Sequence, residues 1–200
     1  MKALKLILVF LFCIVDPASA QQLENIDKIG DFNDGLIAVS KDNSWGFIDL
    51  HGTLVIDFRK DVVAAPEQYP LFSNGLCLIK EMRENVHYYG YINTKGETVI
   101  PTVYIVATAF ENGYARVIKH YKTDTNGTNV LGKDIVSYSY NELIITTENK
   151  MALHIRGPYN LLFYKLKLQQ DIPTIHSKFI SPHLIAVTED NNRFSILKVE

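Results

Sequence analysis

An internal repeat is the feature that most limits the fold of this chain. The segment FNDGLIAV at residues 32–39 recurs as FSNGLCLI at 72–79 and as FENGYARV at 110–117, at offsets of 40 and 38 residues. A second motif, WGFID at 45–49 followed by GTLVI at 52–56, recurs at an offset of 44 as YGYIN at 89–93 and GETVI at 96–100. A period near 40 residues is typical of arrays in which each repeat is one small supersecondary unit stacked on its neighbours.

Each copy has the pattern of a three-stranded β-meander. A tight turn comes first, because a glycine follows Asp or Asn and favours positive φ, and a short run of mostly apolar residues follows it. The aromatic-Gly-aromatic segment predicts a second strand whose rings share one face while the glycine lies on the other. A further glycine marks the hairpin turn into a third apolar strand, which Pro101 is expected to close. The predicted structural motif comprises Phe32, Gly35, Trp45, Gly46, Gly52, Phe72, Gly75, Tyr89, Gly90, Gly96, Phe110 and Gly113.

The repeat fades toward the C-terminus. A shortened third copy continues with NGTNVL at 126–131, a fourth is reduced to LIIT at 143–146 and MALHI at 151–155, and a fifth has HLIAV at 183–187 with Arg193-Phe194 in place of the Trp-Gly pair. Between Val39 and Trp45 lie five residues, and between Ile79 and Tyr89 lie nine, so four inserted residues are predicted to form a loop. The expected fold is all-β, with about five meanders of which the last two are degenerate, arranged as an open repeat sheet or a small propeller-like array.

These motifs resemble the WG-repeat family. The resemblance covers residues 31–117, with the Trp-Gly pair itself at Trp45-Gly46 and Tyr89-Gly90 in its place in the second copy. It implies one β-repeat domain over residues 21–200, with clear repeats at 21–120 and divergent repeats or a cap at 121–200. It further implies an exported bacterial protein with no catalytic function common to the family and with a role in interactions.

The first twenty residues predict a signal peptide. Lys2 and Lys5 precede an apolar run from Leu6 to Val15, and small residues follow, so cleavage is expected after Ala20. A run of ten apolar residues is shorter than the roughly 20 that span a bilayer as a helix. Cys13 lies inside this run behind the bulky Phe12, which argues against the alternative of a lipid-anchored protein. The expected location is periplasmic or extracellular.

Charge and cysteine content reduce the number of functions that the sequence allows. The chain has a net charge of −2, and removal of residues 1–20, which hold two lysines and one aspartate, leaves −3, so nucleic acid is not an expected partner. No second apolar stretch is long enough for a membrane anchor in the mature chain. Cys77 is then the single cysteine, and its apolar neighbours predict a small core residue with an unreactive thiol.

No familiar catalytic or phosphate-binding motif is present, and six dispersed histidines predict neither a metal nor a cofactor site. Trp45 and Tyr89 are predicted to fill space between repeats, whereas Tyr88, Tyr121, Tyr138 and Tyr140 lie outside the motif and are candidates for a surface. The sequence therefore favours a non-catalytic module that binds an unidentified protein. A glycan-binding module is the alternative, and a hydrolase with an unrecognised site is third.

Overall fold

The computed structural model of the protein describes residues 23–64, 69–128, 130–132, 134–161 and 172–199. Within these ranges, every regular element is a β-strand, which confirms the expected all-β fold. The predicted signal peptide, with Cys13 and Ala20, lies outside the described residues. The strands are β1 (Lys28–Asn33), β2 (Leu36–Lys41), β3 (Ser44–Ile48), β4 (Leu54–Arg59), β5 (Leu76–Arg83), β6 (Val86–Asn93), β7 (Thr98–Ala107), β8 (Tyr114–Thr128), β9 (Asp134–Thr146), β10 (Met151–Asn160), β11 (Ser177–Ser181), β12 (Leu184–Thr188) and β13 (Phe194–Lys198).

The strands form three antiparallel sheets in which neighbours follow one another along the chain. Their orders are β1-β2-β3-β4, β5-β6-β7-β8-β9-β10 and β11-β12-β13, and none of the three closes into a barrel. Of the two expected arrangements, the structure therefore adopts the open repeat sheet. No described segment forms a helix of the length and apolarity needed to cross a bilayer.

The second and third meanders are joined because the last strand of one pairs with the first strand of the other. Strand β7 pairs with β6 through Ile100 and Tyr91, and further along it pairs with β8 through Ala107 and Val117. The first meander makes a shorter version of this junction. There the amide of Val63 donates to the carbonyl of Leu78 at 3.0 Å, beside the isolated bridge between Val62 and Ile79.

Three hydrophobic cores lie between successive meanders, as expected for stacked repeats. Each core takes side chains from one face of a meander and from the opposite face of the next, so apolar area is buried only when two units meet. The first core contains Leu36, Ala38, Phe47 and Ile56 from the first unit with Phe72, Cys77, Ile79 and Ile92 from the second. The second contains Leu76, Tyr91 and Ile100 with Phe110, Ala115, Val117 and Ile145, and the third contains Ile144 with Ile185 and Val187.

A further core is built from longer hairpins. The four residues predicted to form a loop in the second copy instead lengthen β5 and β6 to eight residues each, with Glu84 and Asn85 in a two-residue turn of positive φ. Adding two residues to each strand keeps the turn and leaves every later side chain on its original face. Val86 and Tyr88 from this extension are buried with Ile118. The prediction that Tyr88 lies on the surface is therefore wrong.

The C-terminal half is segmented differently from the sequence expectation. Segment 143–146 ends β9, the second strand of the third meander, and the described residues of segment 126–131 lie at the far end of the β8–β9 hairpin. The third and fourth sequence copies therefore belong to one meander, whose closing turn runs from Thr146 to Lys150.

Pro101 also differs from expectation. It lies inside β7, at an irregularity in the β6–β7 pairing, and does not close the strand.

Candidate interaction surfaces

The motif glycines occupy backbone positions that other residues rarely adopt. In the first turn of each copy, Gly35, Gly75 and Gly113 have φ of +85°, +76° and +85°. The preceding Asp or Asn has positive φ as well, which is the two-residue hairpin geometry whose twist matches its flanking strands. Gly52 and Gly96, at +79° and +82°, supply the positive φ of the second turn, where the preceding residue does not share it.

The Asp or Asn that ends the aromatic-Gly segment caps this second turn. The Asp49 carboxylate accepts hydrogen bonds from the amides of His51 at 2.8 Å and Thr53 at 2.9 Å. The side-chain oxygen of Asn93 accepts the two equivalent amides, each at 3.0 Å. The motif thus fixes the turn through its side chains as well as through glycine.

Gly46 and Gly90 allow a neighbouring strand to approach the backbone closely. A Cβ on Gly90 would lie 2.4 Å from the carbonyl oxygen of Ile100 and 2.8 Å from the carbonyl carbon of Pro101. A Cβ on Gly46 would lie 3.1 Å from the carbonyl oxygen of Ile56. The glycine of the Trp-Gly pair therefore makes room for the irregularity of the next strand, more tightly in the second copy.

The second ring of each aromatic-Gly-aromatic segment fills the space between repeats. Phe47 packs edge-on against Phe72, with ring centroids 4.8 Å apart, and Tyr91 packs against Phe110 at the same distance. The hydroxyl of Tyr91 donates to the carbonyl of Thr108 at 2.7 Å, so its burial leaves no unpaired hydroxyl. The first ring is less enclosed, because Trp45 is half-buried at the margin of the first core.

Strand register shows which residues replace the Trp-Gly pair in the later units. Trp45 pairs with Ser40, four residues after the start of β2, and Tyr89 pairs with Lys80 at the same point of β5. The equivalent partner in the third meander is Glu142. In the last sheet it is Phe194, followed by Ser195 at the glycine position, so the sequence alignment of Arg193-Phe194 with Trp-Gly is displaced by one residue.

The last sheet leaves one face uncovered, called here the C-terminal face. It carries Leu184 (38% exposed), Phe194 (60%) and Ile196 (63%), all on the side opposite to the third core. Lys178 lies on the same face, with its ammonium 5.5 Å from the centre of the Phe194 ring. These three apolar side chains form a patch with a basic rim.

The first sheet has a complementary and partly uncovered side, called here the N-terminal face, on which Val39 is already buried. Phe32 is 52% exposed, although its motif equivalents Phe72 and Phe110 are almost fully buried. Ile37 and Ile48 are half-buried on this face. The difference arises because no earlier repeat within the described residues packs against the first one.

The sequence did not predict the buried group formed by Ser177, His176 and Glu142. The geometry of this group indicates a structural role. Glu142 is buried, and its carboxylate accepts the amides of His176 and Ser177, both at 3.0 Å, together with the Ser177 hydroxyl. The nearest ring nitrogen of His176 is 3.7 Å away. Because the hydroxyl is buried and donates to the carboxylate, it is held as a link between β9 and β11 and is not presented as a nucleophile.

Other candidate sites are limited. Among the described residues, no three His, Cys, Asp or Glu side chains are close enough to share a metal ion. An open depression of about 480 Å³ lies beside Trp45 and is lined by Asp27, Lys28, Ser40, Asp42 and Asn43. Cys77 is buried, as predicted, and burial raises the pKa of its thiol to about 12.

The surface tyrosines do not form a common platform. Tyr138 and Tyr140 are half-buried against the hairpin core. Tyr121 is exposed, but it pairs with Ser139, so it lies on the opposite side of the sheet from Tyr140.

Comparison with known proteins identifies the repeats. Three segments match the model of the WG containing repeat family, at residues 25–45, 45–60 and 89–122, together about a third of the chain. Matched segments begin at Trp45 and Tyr89, the two motif rings. Neither a curated protein nor a solved structure matches the chain. The chain thus carries WG containing repeats, as its Trp-Gly and Tyr-Gly motifs predict.

Proposed function

We propose that this chain is an exported, non-catalytic interaction module that binds a protein through its C-terminal face. The observation that carries the proposal is the set of three apolar side chains on one side of the last sheet, at positions whose equivalents in the first two meanders are buried or half-buried against the next unit. A contiguous apolar patch with a charged rim is typical of a protein-binding surface. A face of paired strands is also rigid, which lowers the entropy lost on binding.

Capture of native partners by the tagged protein tests this surface. Ile196→Asp places a carboxylate in the centre of the patch and is expected to lower capture at least tenfold, because binding would then bury an unpaired charge. Met151→Asp is the matched control, since Met151 is also 63% exposed but lies on β10. Equal capture by wild-type protein and both variants would contradict the assignment of the surface.

Export is part of the same proposal and has a separate test. The basic start, the ten apolar residues and the small residues before Gln21 support cleavage after Ala20. Intact mass of the protein recovered outside the cytoplasm should match a chain that begins at Gln21. A mass that includes residues 1–20, or lipid on Cys13, would contradict this part of the proposal.

A glycan is the second candidate ligand, and the depression beside Trp45 favours it. An indole ring flanked by the carboxylates of Asp27 and Asp42 and the amide of Asn43 offers both stacking and hydrogen bonding to a sugar. Trp45 is the single tryptophan of the chain, so tryptophan emission reports on the surroundings of this one ring. A saturable change in emission on titration with envelope oligosaccharides, lost in Asn43→Ala and Asp42→Ala, would support the glycan. Unchanged emission would exclude the tested sugars.

A further inference from the structure

We infer that a second copy of this chain is the partner of the C-terminal face, and that it binds with its N-terminal face in a head-to-tail stack. The inference rests on the proposed function, because it names the occupant of the same surface. The two end faces are the two unmatched halves of the interface that joins the internal repeats.

The residues of the C-terminal face occupy the same strand positions as the residues that the first meander contributes to its interface with the second. Ile196 pairs with Ala186 as Phe47 pairs with Ala38, and Phe194 pairs with Thr188 as Trp45 pairs with Ser40. In the first two meanders, the residues at the Phe47 position are covered by the following unit. The last described sheet has no following unit over this face, so Ile196 stays exposed.

The residues of the N-terminal face occupy the same positions as the residues that the second meander contributes to its interface with the first. Phe32, Ile37 and Ile48 are equivalent to Phe72, Cys77 and Ile92, which the first core buries against the preceding unit. Leu54 and Phe58 widen the apolar surface, since both approach the outer side of Gly46. A copy stacked on this face would place its Ile196 near Phe32, as Phe47 lies against Phe72 within the chain.

Charge supports the same pairing. Residues 23–60, which form the first sheet and carry the N-terminal face, include seven carboxylates and four lysine or arginine side chains. Residues 177–199, which form the last sheet, include two carboxylates and three lysine or arginine side chains, so the net charge is −3 in the first sheet and +1 in the last. Opposite charges at the two rims favour a head-to-tail contact and disfavour the pairing of two N-terminal faces.

One internal contact has no counterpart at the contact between copies. Within the chain, the carboxylate of Asp34 accepts the amide of Gly75 at 2.7 Å, and Asn74 accepts the amide of Gly113 at 3.0 Å. Pro182 occupies the equivalent position in the last sheet and has no side-chain acceptor. The stack is therefore weaker than the internal junctions and depends on concentration. Because two different faces meet, the contact is heterologous and does not close on itself.

Sedimentation velocity of the purified protein, with its first residue established by intact mass, tests the inference. The weight-average mass of wild-type protein should rise steadily from micromolar to several hundred micromolar concentration. Ile196→Asp and Phe32→Asp each remove one face and should each weaken self-association at least tenfold. Met151→Asp should associate as wild type does. Circular dichroism and the urea midpoint of each variant establish that the exposed substitutions leave the fold intact.

Mixing the two variants distinguishes a head-to-tail stack from other contacts. Each variant retains the face that the other lacks, so the equimolar mixture should form dimers and nothing larger. Wild-type protein that stays monomeric throughout, or a Phe32→Asp variant that associates as well as wild type, would overturn the inference. If Ile196→Asp still loses capture of another protein in that case, the proposed function stands and only this inference fails.

Discussion

Truncation of Phe47 is the most direct test of how the repeats hold together. The ring is 1% exposed and lies between two meanders, with its centroid 4.8 Å from that of Phe72. Phe47→Ala removes buried apolar area from both units and leaves a cavity that the sheets on either side cannot close. The expected loss is about 3–5 kcal/mol of unfolding free energy. About 0.5–1.5 kcal/mol of this belongs to the edge-on contact of the two rings.

Three further substitutions distinguish the effect of burial from the effect of the position in the motif. Phe72→Ala should cost as much as Phe47→Ala, whereas Phe32→Ala, at the same motif position in the first copy, should cost less than about 0.5 kcal/mol because that ring is exposed. Trp45→Ala should cost about 2 kcal/mol, since its ring is half-buried. The sequence motif alone would predict a large loss at Trp45 and equal losses at Phe32 and Phe72.

Urea denaturation at low micromolar concentration measures these differences through the midpoint and the slope. A double-mutant cycle with Phe47→Leu and Phe72→Leu should give a coupling energy of about 0.5–1.5 kcal/mol. Equal losses from Phe32→Ala and Phe72→Ala would refute the reasoning that burial by the next repeat sets the stability. A Phe47→Ala variant with the wild-type midpoint would refute it as well.

Three other predictions concern single residues. Gly90→Ala should destabilise the protein by about 1–3 kcal/mol or more, because the added Cβ would lie 2.4 Å from the carbonyl oxygen of Ile100. Gly46→Ala should destabilise it less, and thermal unfolding of both variants checks this order. Cys77 should resist thiol reagents until the protein is denatured, since burial raises its pKa to about 12, and fast labelling of native protein would contradict this. Burial lowers the pKa of His120 below 6.5, so the unfolded protein binds a proton more readily than the folded protein. The free energy of unfolding should therefore fall as the pH drops below about 6.5. If His120→Gln left the slope of stability against pH unchanged, this prediction would be contradicted.

Sequence reasoning succeeded where a residue acts through its own backbone or through near neighbours. The turn glycines and the alternation of Trp45 and Phe47 with Gly46 follow from the geometry of turns and strands, and the structure confirms both. The burial of Cys77 follows from its apolar neighbours and is confirmed as well. Predicting these features does not require knowing which residues lie on the other side of the core.

It failed where burial depends on a partner far along the chain. Tyr88 lies outside the repeat motif, yet the extended hairpin carries it into a core with Leu161 and Ile118. Glu142 occupies the position of Trp45 and Tyr89, but its neighbours His176 and Ser177 meet it with amide donors, so a carboxylate suits the site where a ring would leave those donors unpaired. No local pattern indicates either contact.

The position equivalent to Trp45 shows why the repeat fades in sequence sooner than in structure. It holds an indole, a phenol, a carboxylate and a phenyl ring in the four meanders, while the strand pairing around it stays the same. Backbone hydrogen bonds maintain that pairing with any side chain that tolerates a strand, whereas side-chain identity depends on what covers the position. Where the next unit supplies apolar side chains a ring persists, and where it supplies amide donors a carboxylate replaces it. At Phe194 the chain retains an apolar ring with no described unit to cover it, which is the physical reason for expecting a partner on that face.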